Sequence, residues 1–553
     1  MGTRRLVVVG GEIDGVMAAE KAARENPELD IKILLPGKFF SLKGYLSSYF
    51  IQNPDKDIYS FMSRIRDRLK EQYNVEILPC RKVTDIVSLE KKVVFENLLE
   101  GYQSSLEFDK LIIATGAKTV IPPVEGIEAG NVFFLDTLDD ICSIREGIDA
   151  GLFKKAVVIG TTLAGINAAN SLWSRGIEIT MVEREEQILD GFDVEIADLV
   201  RKQMEQKGVE ILVNEKVLSL ICNAREQVVE VHTPNYILTT DMVIWMEDVK
   251  PDIDVAKKAG VVIGKAGAIE VDQYMETNIP DIYAIGNCVE RISKITGNPS
   301  WEYNMFVDKR AVQVLGYNVA HDNGLALSKG ITGAASIQAF DLNISKAGLS
   351  SVQAEQQGYG AETAVACVSD SKHGYGDGFQ ENVIKLVVNK TDQKILGVQC
   401  LGGILSEKVL DVIATVISMG GTVNDLSRLD LVDHLPYITD MHPVCLVTDM
   451  ITEKLAGKFQ GISAYELCEI LDDPQVVVLD VRTRSETAMG MLPGAINIPL
   501  NELEERIDQL DKRKRIVLVS KRGRRAYIGY MKLKQLGFED LKVLDGGLSA
   551  YPY

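Results

Sequence analysis

Apolar residues along the chain fall into short unbroken runs separated by helically spaced stretches. Residues 6–9 (Leu-Val-Val-Val) form such a run and end on Gly10 and Gly11. A run of this length bounded by glycine predicts a strand buried on both faces, as in a parallel sheet. A turn over 10–15, a helix over 16–24 and a second strand over 31–35 complete a βαβ unit of about thirty residues. The same order returns further on: strand 156–159, turn 160–165, helix 166–175, strand 177–183. Two such units in one chain are far less likely by chance than one. Short β-rich segments lie between and after these units, at 111–117 and 282–288. From about 330 to 455 strands and helices mix, ending in a helix over 444–455. Residues 454–461 read as a linker. Beyond them lies an independent α/β pattern, with strands at 476–480 and 516–520, a helix over 524–537, and Gly546-Gly547 near the end.

A chain of 553 residues exceeds one core and predicts three or four domains. Hydrophobic residues make up 46% and charged residues 25%, as in an ordinary globular protein. No apolar run reaches the roughly 18–20 residues of a membrane span. Arg4-Arg5 lacks the long apolar segment of an export signal, so the expected address is cytoplasmic. A formal charge of −19 argues against general nucleic-acid binding. The eight cysteines are scattered singly, with no CxxC or CxxxxC pair. That excludes a local dithiol and a short-spaced zinc or iron–sulfur motif. Five dispersed histidines add no metal site, so none is expected.

A Gly-rich turn between strand and helix lets backbone N–H groups and a helix N-terminus face a pyrophosphate. Gly10, Gly11 and Gly15 lie in the first turn, Gly160 and Gly165 in the second. Ala114-Thr115-Gly116 and Gly286-Asn287 fall between and after them. This order resembles the pyridine nucleotide–disulfide oxidoreductases. It is most similar to the coenzyme A-disulfide reductase, NADH oxidase and persulfide reductase branch with a fused rhodanese-like domain. The resemblance implies an α/β architecture: two Rossmann-like nucleotide-binding domains, an α+β dimerisation domain and a C-terminal rhodanese-like α/β domain. The implied boundaries are 1–118 with 251–327 for FAD, 119–250 for NADH or NADPH, 328–456 for dimerisation and 462–553 for the rhodanese-like part. A homodimer follows from the third of these.

Several positions depart from that family's pattern. Asn287 stands where an aspartate normally contacts the ribityl chain. Leu35 and Pro36 stand where an acidic residue binds the ribose. Glu12 and Asp14 put carboxylates in the turn that meets the pyrophosphate, which is unfavourable unless they point outward. In the second unit, Glu183 ends the second strand and suits the free 2′-hydroxyl of NAD, with Arg184 beside it. Thr162 replaces the middle glycine, and Glu247-Asp248 replace a small residue and glycine near the nicotinamide.

Both family cysteines are absent. The one expected beside the flavin falls on Tyr45, and the Ser41–Phe50 stretch contains no cysteine. A phenol forms no mixed disulfide; Tyr45 can pack on the flavin, bond a substrate, or only pack. Lys43 is a nearby positive charge or an exposed loop lysine. In the rhodanese-like domain Asp480-Val481-Arg482, the segment 492–499 and Gly546-Gly547 match that fold, while its active loop reads Ser520-Lys521-Arg522-Gly523-Arg524-Arg525. Serine carries no persulfide. The loop can still bind an anion or an acidic partner protein, or be a solvated charged face. His442-Pro443-Val444-Cys445 resembles the His-Pro-Thr of glutathione and lipoamide reductases, whose histidine is the acid–base group. Cys445 would share a helix face with His442, or be a core cysteine.

The leading expectation is an FAD-dependent NAD(P)H oxidoreductase passing electrons to an unidentified acceptor without a redox-active cysteine. The alternatives are a non-catalytic nucleotide-binding or regulatory protein on a degraded reductase scaffold, and sulfur or coenzyme A-disulfide chemistry through a non-standard thiol.

Overall fold

The computed structural model describes residues 4–41, 45–327, 330–369, 381–432 and 441–553, with only the backbone of Tyr45. It divides into two compact units.

The first unit carries both nucleotide-type sheets. In chain order these use β1 (Arg5–Val9), α1 (Ile13–Glu25), β2 (Asp30–Leu34), α2 (Tyr45–Gln52), β3 (Val75–Leu78), β4 (Lys110–Ile113), β5 (Val132–Phe133), β6 (Lys155–Ile159), α3 (Leu163–Trp173), β7 (Glu178–Val182), β8 (Glu210–Leu212), β9 (Met242–Trp245), β10 (Ile282–Ala284) and α4 (Lys309–His321). The first sheet has the order β10-β4-β1-β2-β3 and the second β8-β7-β6-β9-β5, all parallel. In each, the chain moves outward from a central strand, β1 or β6, on one side and then returns to its other side. The crevice at that reversal, at the carboxyl ends of the strands, is where such sheets take ligands. Leu6 to Val9 are at most 2% exposed. Each such side chain contributes roughly 1.5–3 kcal/mol by leaving water.

α1 starts at Ile13, earlier than the expected 16, because the Glu12 carbonyl already accepts the N–H groups of Gly15 and Val16. Gly15 is therefore a helical residue. A Cβ there would lie 2.4 Å from that of Ala114, so glycine sets how closely α1 approaches the end of β4.

The second unit contains an antiparallel sheet of β11 (Ala335–Ala339), β12 (Leu342–Gly348), β13 (Ala361–Ser369), β14 (Glu381–Asn389) and β15 (Ile395–Gly402), in the order β11-β12-β15-β14-β13. Helices α5 (Ile404–Ser418) and α6 (Pro443–Leu455) pack their apolar faces against it. A second, parallel sheet follows: β16 (Gly461–Ile462), β17 (Val476–Asp480), β18 (Ile496–Asn497), β19 (Arg515–Val519) and β20 (Leu541–Leu544), ordered β16-β20-β19-β17-β18, with helix α7 (Arg524–Gln535). The linker expected at 454–461 is shorter in fact. Lys454 still belongs to α6 and is buried with its ammonium 2.5 Å from the Asp545 carboxylate.

Candidate functional site

The first Gly-rich turn is shaped for close backbone approach. Gly10 has φ +114°, and a Cβ on it would lie 2.1 Å from the Ala114 carbonyl oxygen. Gly11 accepts the Ser41 N–H at 2.7 Å. Thr115 donates its hydroxyl to the Asp252 carbonyl, and Gly116 and Gly286 end the loops after β4 and β10. The residues expected to hold FAD, Gly10, Gly11, Gly15, Ala114, Thr115, Gly116, Gly286 and Asn287, thus gather at the crevice of one sheet.

Glu12 lies in the middle of them. It is the N-cap residue of α1 but does not use its side chain to cap the helix. The carboxylate points inward and is 8% exposed. Its Oε2 accepts the backbone N–H of Asn287 at 3.1 Å, and its Oε1 accepts the Asn287 side-chain amide at 2.9 Å. It packs so closely on the neighbouring loops that a Cβ at Gly116 would meet Glu12 Cδ at 2.4 Å and one at Gly286 would meet Oε2 at 2.3 Å. Asp14, also buried, accepts the Asp308 N–H at 3.0 Å. Burial, and then the neighbouring Glu12 charge, raise the Asp14 carboxyl to about 7. A small cleft remains, walled by Glu12, Asp14, Ser41, Asn287, Tyr303 and Asn304. The glycine framework fits a dinucleotide, but the Glu12 carboxylate does not fit beside a pyrophosphate. Pointing outward, the arrangement that would have relieved the conflict, is not what the chain adopts, because Asn287 supplies two donors within the crevice.

Residues beyond the sequence motifs complete this wall. Asn287 accepts the Asn304 N–H at 2.8 Å, its carbonyl accepts the Trp301 indole N–H, and Asp308 caps α4 while pairing with Arg291. The only signal for them in the sequence was an Asp preceding a helix.

In the second βαβ repeat Gly160 (φ +95°) and Gly165 take the corresponding turn positions, and Thr162 caps α3 through the Gly165 N–H. Glu183 directly follows β7, and its Oε2 accepts the Thr161 N–H at 3.0 Å and the Thr161 hydroxyl. Arg184 makes a two-point pair with Asp248, at 2.9 and 3.0 Å. Glu247 is raised to about 7, chiefly by burial, with Arg184 opposing the shift.

In the rhodanese-like part, Ser520 is buried at the end of β19 and its Oγ accepts the Ala526 N–H at 3.2 Å. The loop cations are largely matched by carboxylates of the chain itself. Arg525 makes two bonds of 2.6 Å to Glu486, which is lowered to about 2 by this pair. Arg522 bonds Glu381 at 3.0 Å, with the Lys521 ammonium 3.8 Å from the same carboxylate. Gly523 is the N-cap of α7 with φ +82°, and Arg524 opens the helix.

His442 caps α6, its Nδ1 accepting the Val444 N–H at 3.3 Å. Cys445 is half-buried in the first turn of that helix. Tyr45 begins α2, and Lys43 lies outside the described residues. No helix among the described residues is long and apolar enough to cross a membrane, and no metal-ligating cluster occurs among them.

Three family models match the chain: pyridine nucleotide-disulphide oxidoreductase over residues 4–300, the dimerisation domain of that family over 334–434, and the rhodanese-like domain over 463–552. An NADH oxidase of Methanocaldococcus jannaschii is 28% identical over 456 residues, covering 82% of this chain and all of that protein. Two solved structures superpose with a TM-score of 0.90. Reduced Bacillus anthracis CoADR-RHD is 29% identical, covering 100% of this chain and 98% of that one. An NAD-dependent persulfide reductase from A. fulgidus is 30% identical, covering 99% and 100%. The relatives are oxidoreductases, and the family implies FAD and NAD(P)H as cofactors. With its two parallel sheets, its dimerisation sheet and its rhodanese-like sheet, the chain belongs to the pyridine nucleotide-disulphide oxidoreductase family.

Proposed function

We propose that the chain is an NAD(P)H oxidoreductase that delivers electrons to its acceptor without a cysteine relay, as a homodimer. The observation that carries this reading concerns thiols. The Ser41–Phe50 stretch has none. Cys288, which follows the Gly286-Asn287 loop, is fully buried, its thiol directed at the Ile285 and Ile113 carbonyls. Burial pushes it up to about 12, so it is not a thiolate at neutral pH. The match to the dimerisation domain supports the homodimer.

On this reading the coenzyme A and persulfide chemistry named for relatives is replaced by an acceptor that needs no mixed disulfide, such as oxygen or a quinone. The test is anaerobic and aerobic NADH consumption by protein first reduced and then treated with N-ethylmaleimide. Consumption with oxygen or a quinone that survives alkylation supports the proposal. Consumption that depends on coenzyme A disulfide and is abolished by alkylation overturns it.

A further inference from the structure

The first crevice already contains an anion. An α-helix N-terminus and the loops after neighbouring parallel strands attract negative charge, and in this fold that position takes a pyrophosphate. Here α1 (13 residues) opens on it, and the Glu12 carboxylate fills the space between the loops ending at Gly116 and Gly286. It takes two Asn287 donors, one of them a backbone N–H at the carboxyl end of β10. The buried Asp14 carboxylate lines the same cleft, and Asp308, paired with Arg291, abuts it. A pyrophosphate entering here meets one carboxylate in its place and another beside it.

We infer that Glu12 is a built-in competitor for the phosphate position of the first dinucleotide unit, so that FAD is held weakly and exchanges with solution instead of residing in the protein. The inference rests on the oxidoreductase reading and adds to it that the flavin is a dissociable cofactor. The competitor is removable. Glu12 has φ −66° and ψ 141°, which any residue adopts, so its replacement needs no backbone change. Departure of the carboxylate frees the Asn287 backbone N–H and one side-chain N–H to meet a phosphate oxygen, while the other side-chain N–H stays on the Asn304 carbonyl at 2.9 Å.

The experiment uses the full-length protein and FAD itself, with affinity read by quenching of flavin fluorescence and by calorimetry. Glu12→Gly is expected to bind FAD at least tenfold more tightly than the natural chain. Glu12→Gln, which keeps the bulk and removes the charge, should fall between the two. NADH affinity and the thermal unfolding midpoint report that the fold is intact. If Glu12→Gly unfolds, Glu12→Gln alone decides, with a gain of threefold or more expected. The inference is overturned if the natural chain keeps stoichiometric FAD through purification, or if the folded variants bind FAD no better than it does. The two readings fail separately. Stoichiometric FAD in the natural chain sinks this inference and leaves the oxidoreductase standing. A Glu12→Gly protein saturated with FAD that cannot oxidise NADH sinks the oxidoreductase and leaves the competition intact.

Discussion

Glu12 and Asn287 are 275 residues apart, yet the glutamate carboxylate accepts both the backbone and the side-chain N–H of the asparagine, at 3.1 and 2.9 Å. Each accounts for the presence of the other. An aspartate at 287 would face Glu12 with a second carboxylate and no side-chain donor, whereas asparagine offers the amide that the buried carboxylate requires.

Asn287→Asp should therefore destabilise the natural chain by about 3 kcal/mol, the cost of a buried charge left without its partner. In the Glu12→Gln background the same change should cost less than about 1 kcal/mol. Urea unfolding of the four proteins measures the coupling; equal costs in both backgrounds would dissolve the link between the two residues.

Asp14 supplies a pH dependence of definite sign. Its carboxyl is raised to about 7 from 3.8, mainly by burial. The folded chain therefore binds a proton that the unfolded chain has released. Stability is lost as pH climbs from the ordinary carboxylate range to about 7, and the loss is constant above that. Asp14→Asn keeps the oxygen that accepts the Asp308 N–H and removes the charge. Its stabilising effect should grow by roughly 2 kcal/mol between pH 5.5 and pH 8, read from denaturant midpoints at each pH.

Much of the fold was legible in the sequence because its signals are local. The run at Leu6–Val9, the Gly-rich turn after it and their echo at 156–165 are each read from residues within a dozen positions, although the steric demand for glycine at Gly10 comes from the distant Ala114 carbonyl. The site was legible only as a gathering of loops. Which way Glu12 turned was decided by Asn287 and by the two glycines that leave room for it. The status of the loop cations was likewise decided by Glu381 and Glu486, which are distant in sequence. Long-range pairing of charge with charge leaves no periodicity to read, so the basic loop looked more available in the sequence than it is.

Arg184 illustrates the same point for the second βαβ repeat. Its guanidinium is committed to Asp248 at two points, so it is poorly placed to serve a 2′-phosphate, while Glu183 stays beside the turn. NADH should bind at least tenfold more tightly than NADPH in fluorescence titrations. Asp248→Ala releases the arginine and should narrow that ratio; a natural chain that prefers NADPH would contradict the assignment.

The rhodanese-like loop makes a smaller, separable prediction. The Arg525–Glu486 pair is about one-third exposed on each side, so its removal by Glu486→Gln should cost less than about 1 kcal/mol. The variant should gain affinity for sulfate or phosphate, because Arg525 would then face the loop without its carboxylate. Calorimetric titration with sulfate before and after the change measures this, and no gain would mean that the loop holds no anion site.

The unstrained backbone at Glu12 has a genetic corollary. Codons for glutamate and glycine differ by a single second-base transition, and the local chain geometry accepts either residue. Asparagine-to-aspartate at 287 and tyrosine-to-cysteine at 45 are also single-base changes. Each of these exchanges therefore lies within reach of a single point mutation, and at position 12 the backbone offers no resistance to it.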